Sequence, residues 1–267
     1  MALLGAEQTI ADELLSNAAR RAANNMCNLY SMTTSQRAIL ELSRAMRDRT
    51  GNLPLLPGIY PDYFAPIVRT GADGQRELVM ARWGMPSSHA ALFEATKRRA
   101  QKLEAKGQRV DFKELLRLEP DSGVTNIRNV TSKHWTRWLG PEHRCLVPFT
   151  SFSEFSKSAG GAVWFAFDVQ RPLAFFAGIW TNWTSVRKVK EGETTNDLFG
   201  FLTTEPNGEV AKVHPKAMPV ILTKQEEIEQ WMTAPAPEAL RLQRPLPDHS
   251  LSIVAVGTPE DQRPEAG

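Results

Sequence analysis

The sequence predicts an α+β protein, and two observations carry the prediction. In the second half, the short β-branched or aromatic runs RCLVPF, VWFAFDV, PLAFFAGIW, LFGFLTT and LSIVAVG succeed one another between turn signals. Helical patterns gather around these runs instead of alternating with them, which argues against a parallel βαβ fold. A chain of 267 residues is ample to bury a core of that kind.

The elements follow in order. In residues 1–25, Ile10, Leu14, Leu15 and Ala18 sit at helical spacing, with Glu7, Asp12, Glu13, Arg20 and Arg21 on the other faces. This amphipathic stretch ends at a Met26-Cys27 seam. It reads as an extension, either a propeptide or residues ahead of a true start at Met26. TSQRAILELSRAMRDR at 34–49 predicts a helix capped by Thr34 or Ser35. Pro54, Pro57, Gly58, Pro61 and Pro66 mark a loop-rich stretch. APIVRTGADGQRELVMARWG predicts a β-hairpin around Gly71-Ala72-Asp73-Gly74. The charged segment 90–117 predicts one or two helices with a solvated outer face, inside an insertion at about 88–123. VWFAFDVQRPLAFFAGIW predicts a second hairpin, and helical patterns recur at 224–232 and 235–242. The expected organisation is an extension (1–25), one domain (26–257) and a flexible tail (258–267).

Composition excludes several classes. Lys and Arg number 32 against 30 Asp and Glu, and a net charge of +2 does not by itself argue for nucleic acid. Cys27 and Cys145 make neither a disulfide framework nor the paired spacing of a zinc site, so the chain reads as reduced and cytoplasmic, with no metal. No apolar run approaches the roughly 20 residues of a bilayer span. Glu7, Asp12 and Glu13 interrupt any signal-peptide core. There is no glycine-rich phosphate loop, and no cofactor is expected.

Four segments carry the chemistry: MCNLY at 26–30, TNIRN at 125–129, FSE at 152–154 and VHPKAMPVIL at 213–222. RWG at 82–84, RCLVPF at 144–149, FAGIW at 176–180 and FLTTEPN at 201–207 accompany them in the same order. Together they resemble the SOS-response-associated peptidase family, also called abasic-site processing proteins, over about residues 26–256. The resemblance implies a single domain with a mostly antiparallel, barrel-like β core flanked by helices. It implies a monomer that binds abasic sites in single-stranded DNA and becomes nucleoid-associated when bound. By the same resemblance the catalytic set is Cys27, Asn126, Glu154 and His214, and the DNA contacts are Asn28, Pro61, Trp83, Arg128 and Thr203. Relatives often begin M-C-G-R, whereas Met26-Cys27-Asn28-Leu29 lacks that arginine and offers Asn28 in its place.

The chemistry suits these residue types. The ring-opened abasic site is an aldehyde, and an N-terminal cysteine carries an α-amine and a thiol on adjacent carbons. An α-amine titrates near 7.7–8.0, roughly, so part of it is neutral at physiological pH, unlike a lysine. The amine condenses to a Schiff base and the thiol closes a thiazolidine, which removes the imine that promotes strand cleavage. The resemblance gives His214 the role of protonating the sugar oxygen, Glu154 that of accepting or orienting the amine proton, and Asn126 that of holding amine or sugar. Arg128 and Thr203 would grip phosphates. Trp83, Trp135 and Trp138, with Arg82 and Arg137, would offer stacking and charge.

Plainer readings stand beside these. Cys145 reads as a buried core residue. Asn126 and Arg128 are also of types found at helix caps, and the tryptophans are of types found in cores, Trp83 being the one weighed evenly between core and DNA. The alternative function is a thiol peptidase using Cys27, His214 and Glu154 or Asn126, confined to releasing its own N-terminus. A third is a non-catalytic single-stranded DNA-binding module, marked by strong salt dependence.

Overall fold

The computed structural model describes residues 27–261. The expected extension at 1–25 lies outside them, as do residues 262–267.

Strand β1 (Leu29–Met32) leads into helix α1 (Gln36–Ser43), whose N-cap Ser35 accepts from the Ala38 N–H. The sequence pattern ran on to residue 49, but the helix stops at Arg44, which turns left-handed with φ 55°. The chain then drops into β2 (Arg47–Asp48), β3 (Leu56–Ile59), β4 (Phe64–Thr70) and β5 (Arg76–Trp83). β4 and β5 form the hairpin expected around Gly71–Gly74. Helices α2 (His89–Glu104) and α3 (Phe112–Arg117) come next, then β6 (Asn126–Ile127) and α4 (Lys133–Thr136). Strands β7 (Arg144–Phe149), β8 (Ser151–Ser156), β9 (Gly161–Ala166), β10 (Ala174–Val186) and β11 (Glu193–Thr204) follow. The chain closes with α5 (Gly208–Ala211), β12 (Met218–Pro219), β13 (Ile221–Leu222), α6 (Gln225–Thr233), α7 (Ala236–Ala239) and β14 (Ser252–Val256).

The strands make a closed five-stranded barrel, in the order β11-β10-β7-β4-β5 with β5 returning to pair parallel with β11. A second sheet runs β14-β9-β8-β1-β3. Closure leaves no free edge in the barrel. The core between the sheets is aromatic: Phe149 stacks on Phe176 at 3.9 Å, Phe176 meets Phe201 at 4.6 Å, and Tyr30 stands edge-on to Trp83 at 5.0 Å. Each such ring, fully buried, contributes about 1.5–3 kcal/mol. The α+β class and the barrel-like core expected of the sequence are present.

One expectation is corrected. The run 163–180 is not a hairpin: β9 pairs with β8 and β14, whereas β10 pairs with β7, β11 and β13. The connection crosses between sheets through Arg171, left-handed at φ 52°, whose guanidinium is buried on Asp261 at 2.6 Å. That ion pair lies at the start of the segment expected as a tail, of which residues 262–267 are outside the described residues. Thr258, Pro259 and Glu260 are exposed, but the segment is tied to the fold, with the Thr258 carbonyl accepting from Trp164 Nε1 at 2.9 Å and buried Asp261 accepting from Ser151 Oγ at 2.5 Å. Among the described residues, no helix is long and apolar enough to cross a membrane.

Candidate active site around Cys27

Cys27 lies two residues ahead of Leu29, the first residue of β1, which pairs with Ser153 of β8. That register brings Glu154, the next residue on β8, beside the start of β1. Glu154 shares a face with Phe152 by strand alternation, so its carboxylate points into the protein and is buried. The Cys27 backbone N–H donates to that carboxylate. Burial pushes the Glu154 carboxyl well above the usual carboxylate range, and the Cys27 N–H offsets part of the rise. Its Oε1 atom has no hydrogen-bond partner among the described residues.

Asn126 arrives from another direction. It opens β6, which lies parallel to β11 with Asn126 opposite Phe201. Its Nδ2 donates to the Cys27 carbonyl at 2.9 Å and to Thr125 Oγ1 at 2.9 Å. Thr125 Oγ1 in turn donates to Asn28 Oδ1 at 3.0 Å, and Asn126 Nδ2 reaches the same oxygen at 3.4 Å. Glu154 and Asn126 thus hold the main chain of Cys27 on both sides, one at its nitrogen and the other at its carbonyl.

His214 follows the single turn of α5, which Asn207 starts by accepting from the Val210 N–H. The His214 N–H bonds to the Val210 carbonyl at 2.7 Å, and Nδ1 lies 3.1 Å from the Ala217 carbonyl. With a proton on Nδ1 donated to Ala217, the Nε2 atom is left to receive or deliver one. Nδ1 is 4.0 Å from Glu154 Oε2. Four segments far apart in sequence therefore supply Cys27, Asn126, Glu154 and His214 to one place.

The thiol is fully buried. Burial raises its pKa well above the ordinary value and the Glu154 carboxylate raises it further, against backbone N–H groups of Leu29 and Ser153. Sγ contacts the Leu29 carbonyl at 3.8 Å. No hydrogen bond between Sγ and His214 is present among the described residues. The sulfur is a neutral thiol at pH 7: no imidazole is bonded to it, and the negative charge of Glu154 opposes a thiolate.

The other expected contacts divide. Asn28 joins the site through Thr125 and Asn126. Arg128 lies at the surface, where it pairs with Glu205 at 3.2 Å. Pro61 sits in the turn between β3 and β4, half-buried beside left-handed Asp62. Thr203 is fully buried on the face of β11 that carries Phe201, and its carbonyl accepts from Gln243 Nε2 at 2.9 Å. Trp83 is also fully buried, stacked on Phe201 at 5.3 Å with Nε1 donating to the Thr125 carbonyl at 3.3 Å. It has no face left for a nucleobase, which corrects the stacking role; its place is beneath the Asn126 segment. Arg82 is similarly committed, bonded to Asp62 and Glu191 at 2.7 and 2.9 Å. Arg137 lies on the Trp138 ring at 3.9 Å.

Two participants had no signal in the sequence. Thr125 was passed over for its neighbour, and Gln243 spans the rim, donating to the carbonyls of Arg128 and Thr203 at 2.8 and 2.9 Å. Among the described residues, no group of three or more His, Cys, Asp or Glu could hold a metal ion.

With this geometry in view, comparison with known proteins is decisive for the family. The sequence model of the SOS response associated peptidase family matches residues 26–259. The chain belongs to that family. Its membership associates it with the SOS response and with abasic sites in DNA. A search of curated proteins returns no match. A crystal structure of a protein from Bordetella bronchiseptica aligns with TM-score 0.58 at 20% identity, covering 87% of this chain and all of that one. One from Bacteroides thetaiotaomicron aligns with TM-score 0.55 at 20% identity, covering 85% and 90%. A phage-related protein from Bordetella bronchiseptica gives 0.55 at 17% identity, covering 85% and 92%. These likenesses establish the shared fold.

Proposed function

We propose that this family member captures abasic sites in single-stranded DNA by forming a thiazolidine with Cys27 as its N-terminal residue. The observation that carries the reading is the Glu154 carboxylate on the Cys27 nitrogen. A buried carboxyl can accept from an ordinary backbone N–H, as Asp121 does; what sets Glu154 apart is that its donor nitrogen becomes an amine once Met26 is removed, and an amine must shed a proton before it attacks. The active form therefore lacks Met26 and everything before it, so that this nitrogen is an amine.

The steps balance without a cofactor. His214 protonates the sugar ring oxygen as the ring opens to the aldehyde. In the mature protein the Cys27 ammonium beside Glu154 favours the charged carboxylate; that carboxylate accepts the ammonium proton, and the free amine adds to the aldehyde carbon. Loss of one water gives the imine. The Cys27 sulfur then bonds to that carbon while the thiol proton passes to the nitrogen, and the ring closes. Because the thiol enters last and within the same residue, proximity replaces the need for a thiolate. Asn126 keeps the Cys27 carbonyl fixed so that nitrogen and sulfur face the same carbon. Arg128, freed from Glu205, is available to a flanking phosphate.

The peptidase chemistry that names the family fits as a single event, attack by Cys27 on the Met26 carbonyl to free its own amine. A neutral thiol with no histidine on it is poorly suited to turnover on other peptides. Incubation of Cys27-initiated protein with abasic single-stranded DNA gives a band that survives denaturing electrophoresis. Failure of that band to form, or its persistence in Cys27→Ala, overturns the reading.

A further inference from the structure

The hairpin of α2 and α3 has no part in the chemistry above, yet its charge and its mounting set it apart. Residues 89–117 carry eight Lys and Arg against four Asp and Glu, a net of +4, whereas the whole chain nets +2. The rest of the protein is therefore net negative, and its positive charge is concentrated here. Arg99 pairs with Glu119 and Arg117 with Glu114 and Glu193. Lys97, Arg98, Lys102, Lys106, Arg109 and Lys113 are exposed, and none has a carboxylate partner among the described residues. On α2, Arg98 and Lys102 lie opposite the face that buries Thr96 and Ala100, Lys97 lies to one side, and Glu94 shares the Arg98 face.

A hairpin that merely solvates itself needs no firm mount, and this one has a firm mount. Its two ends close on each other where Met85 and Val124 exchange backbone hydrogen bonds at 2.8 and 2.9 Å. Asp121 fastens the neck by accepting from the Ser87 and Gly123 N–H groups. The fully buried Arg187 guanidinium passes between the two ends, donating to the carbonyls of Gly84 and Ser122 and pairing with Asp62. Gly84 and Gly123 have φ of 137° and 77°, and a Cβ on either would come within 2.7 Å of that guanidinium. Val124 is two residues from Asn126, so the neck is anchored at the site itself.

We infer that the α2–α3 hairpin is an electrostatic arm that grips the phosphate backbone of the DNA strand running away from the abasic site. The inference rests on the DNA reading above and adds where the strand goes. Helix α2 is about 24 Å long, enough to follow several phosphates. Its exposed lysines and arginines act through counterion release, so the arm contributes affinity that depends on DNA length and salt but not on base sequence. The chemistry at Cys27 is untouched by it.

The test uses the full Cys27-initiated protein and its variant Lys97→Ala/Arg98→Ala/Lys102→Ala/Lys106→Ala, all exposed positions. Binding is measured with abasic single strands, one ending beside the lesion and one extending well past it on either side. Wild type binds the longer strand more tightly; the variant loses on the order of tenfold or more of that gain at moderate salt, and its log–log salt slope falls by up to about 3. The crosslinking rate at saturating DNA stays at the wild-type value. Equal affinity of variant and wild type for the long strand overturns the arm, including the case in which these cations serve an acidic protein partner. If wild type binds long DNA in this length- and salt-dependent way but never crosslinks, the thiazolidine reading fails and the arm stands.

Discussion

The two cysteines of this chain make an instructive pair of neighbourhoods. Both side chains are fully buried, and burial raises both thiols well above their ordinary pKa. Cys145 lies on β7 opposite Gly178, where an added Cβ would come within 2.8 Å of its sulfur, and Trp231 Nε1 caps its carbonyl at 3.0 Å. Everything around it is packing. Cys27 is no more ionised, yet its nitrogen and carbonyl are both taken by side chains, Glu154 and Asn126, from different sheets. What separates them is the treatment of the main chain, not of the sulfur. On the proposed reading the first nucleophile is therefore the Cys27 nitrogen, and substitutions at the two cysteines and at Glu154 separate the two neighbourhoods.

The largest effect separates the two residues outright. Cys27→Ala loses the denaturation-resistant crosslink altogether, whereas Cys145→Ala crosslinks at the wild-type rate; gel assays on abasic single strands read both. Next comes the base. Glu154→Gln keeps the shape and removes the proton acceptor, and single-turnover crosslinking slows roughly 10²–10⁴-fold. His214→Gln loses general acid help in ring opening and slows the reaction by about 10²-fold, a loss that shrinks when the DNA is supplied as a pre-opened aldehyde analogue.

Stability effects are smaller. Cys145→Ser puts a hydroxyl into the apolar slot beneath Gly178 at a cost of about 1–3 kcal/mol. The melting temperature falls by roughly 2–4 °C per kcal/mol for a domain of this size. Glu154 works in the opposite direction. Its folded-state pKa is raised, so between the unfolded value, near 4.3, and the folded value the native state holds more protons. Stability contributed by the neutral carboxyl is present below that window and is lost as pH rises through it. In protein that keeps Met26, where no ammonium faces the carboxyl, Glu154→Gln therefore melts above wild type at neutral pH, and the advantage vanishes near pH 4.

Much of the site was legible because short motifs carry residue type and order together. MCNLY, TNIRN, FSE and VHPKAMPVIL each delivered one of the four residues that meet at Cys27. The misses have physical reasons. Alternating apolar residues at 163–180 say that strands are present but not which sheet each joins, and the switch is made by Arg171 on Asp261, 90 residues away. Likewise, nothing local marks 258–261 as anchored, because Asp261 finds its partners only in the folded chain. Trp83 beside Arg82 reads equally as a stacking platform or as core. Only the closure of β5 onto β11 puts that ring against Phe199 and Phe201. The helix at 34–49 was overrun because its last residues are good helix formers that β5 recruits as β2 instead.

The central claim is that Cys27 reacts through nitrogen first and then through sulfur. Mass spectrometry of the proteolysed crosslink, with and without borohydride added during the reaction, tests it most directly. The expected product is an N-terminal Cys27 peptide carrying the abasic sugar with loss of one water, its thiol unreactive to alkylation and the mature adduct resistant to borohydride. An adduct on any other residue, or on a Cys27 whose thiol still alkylates or whose amine is still blocked by Met26, would contradict it.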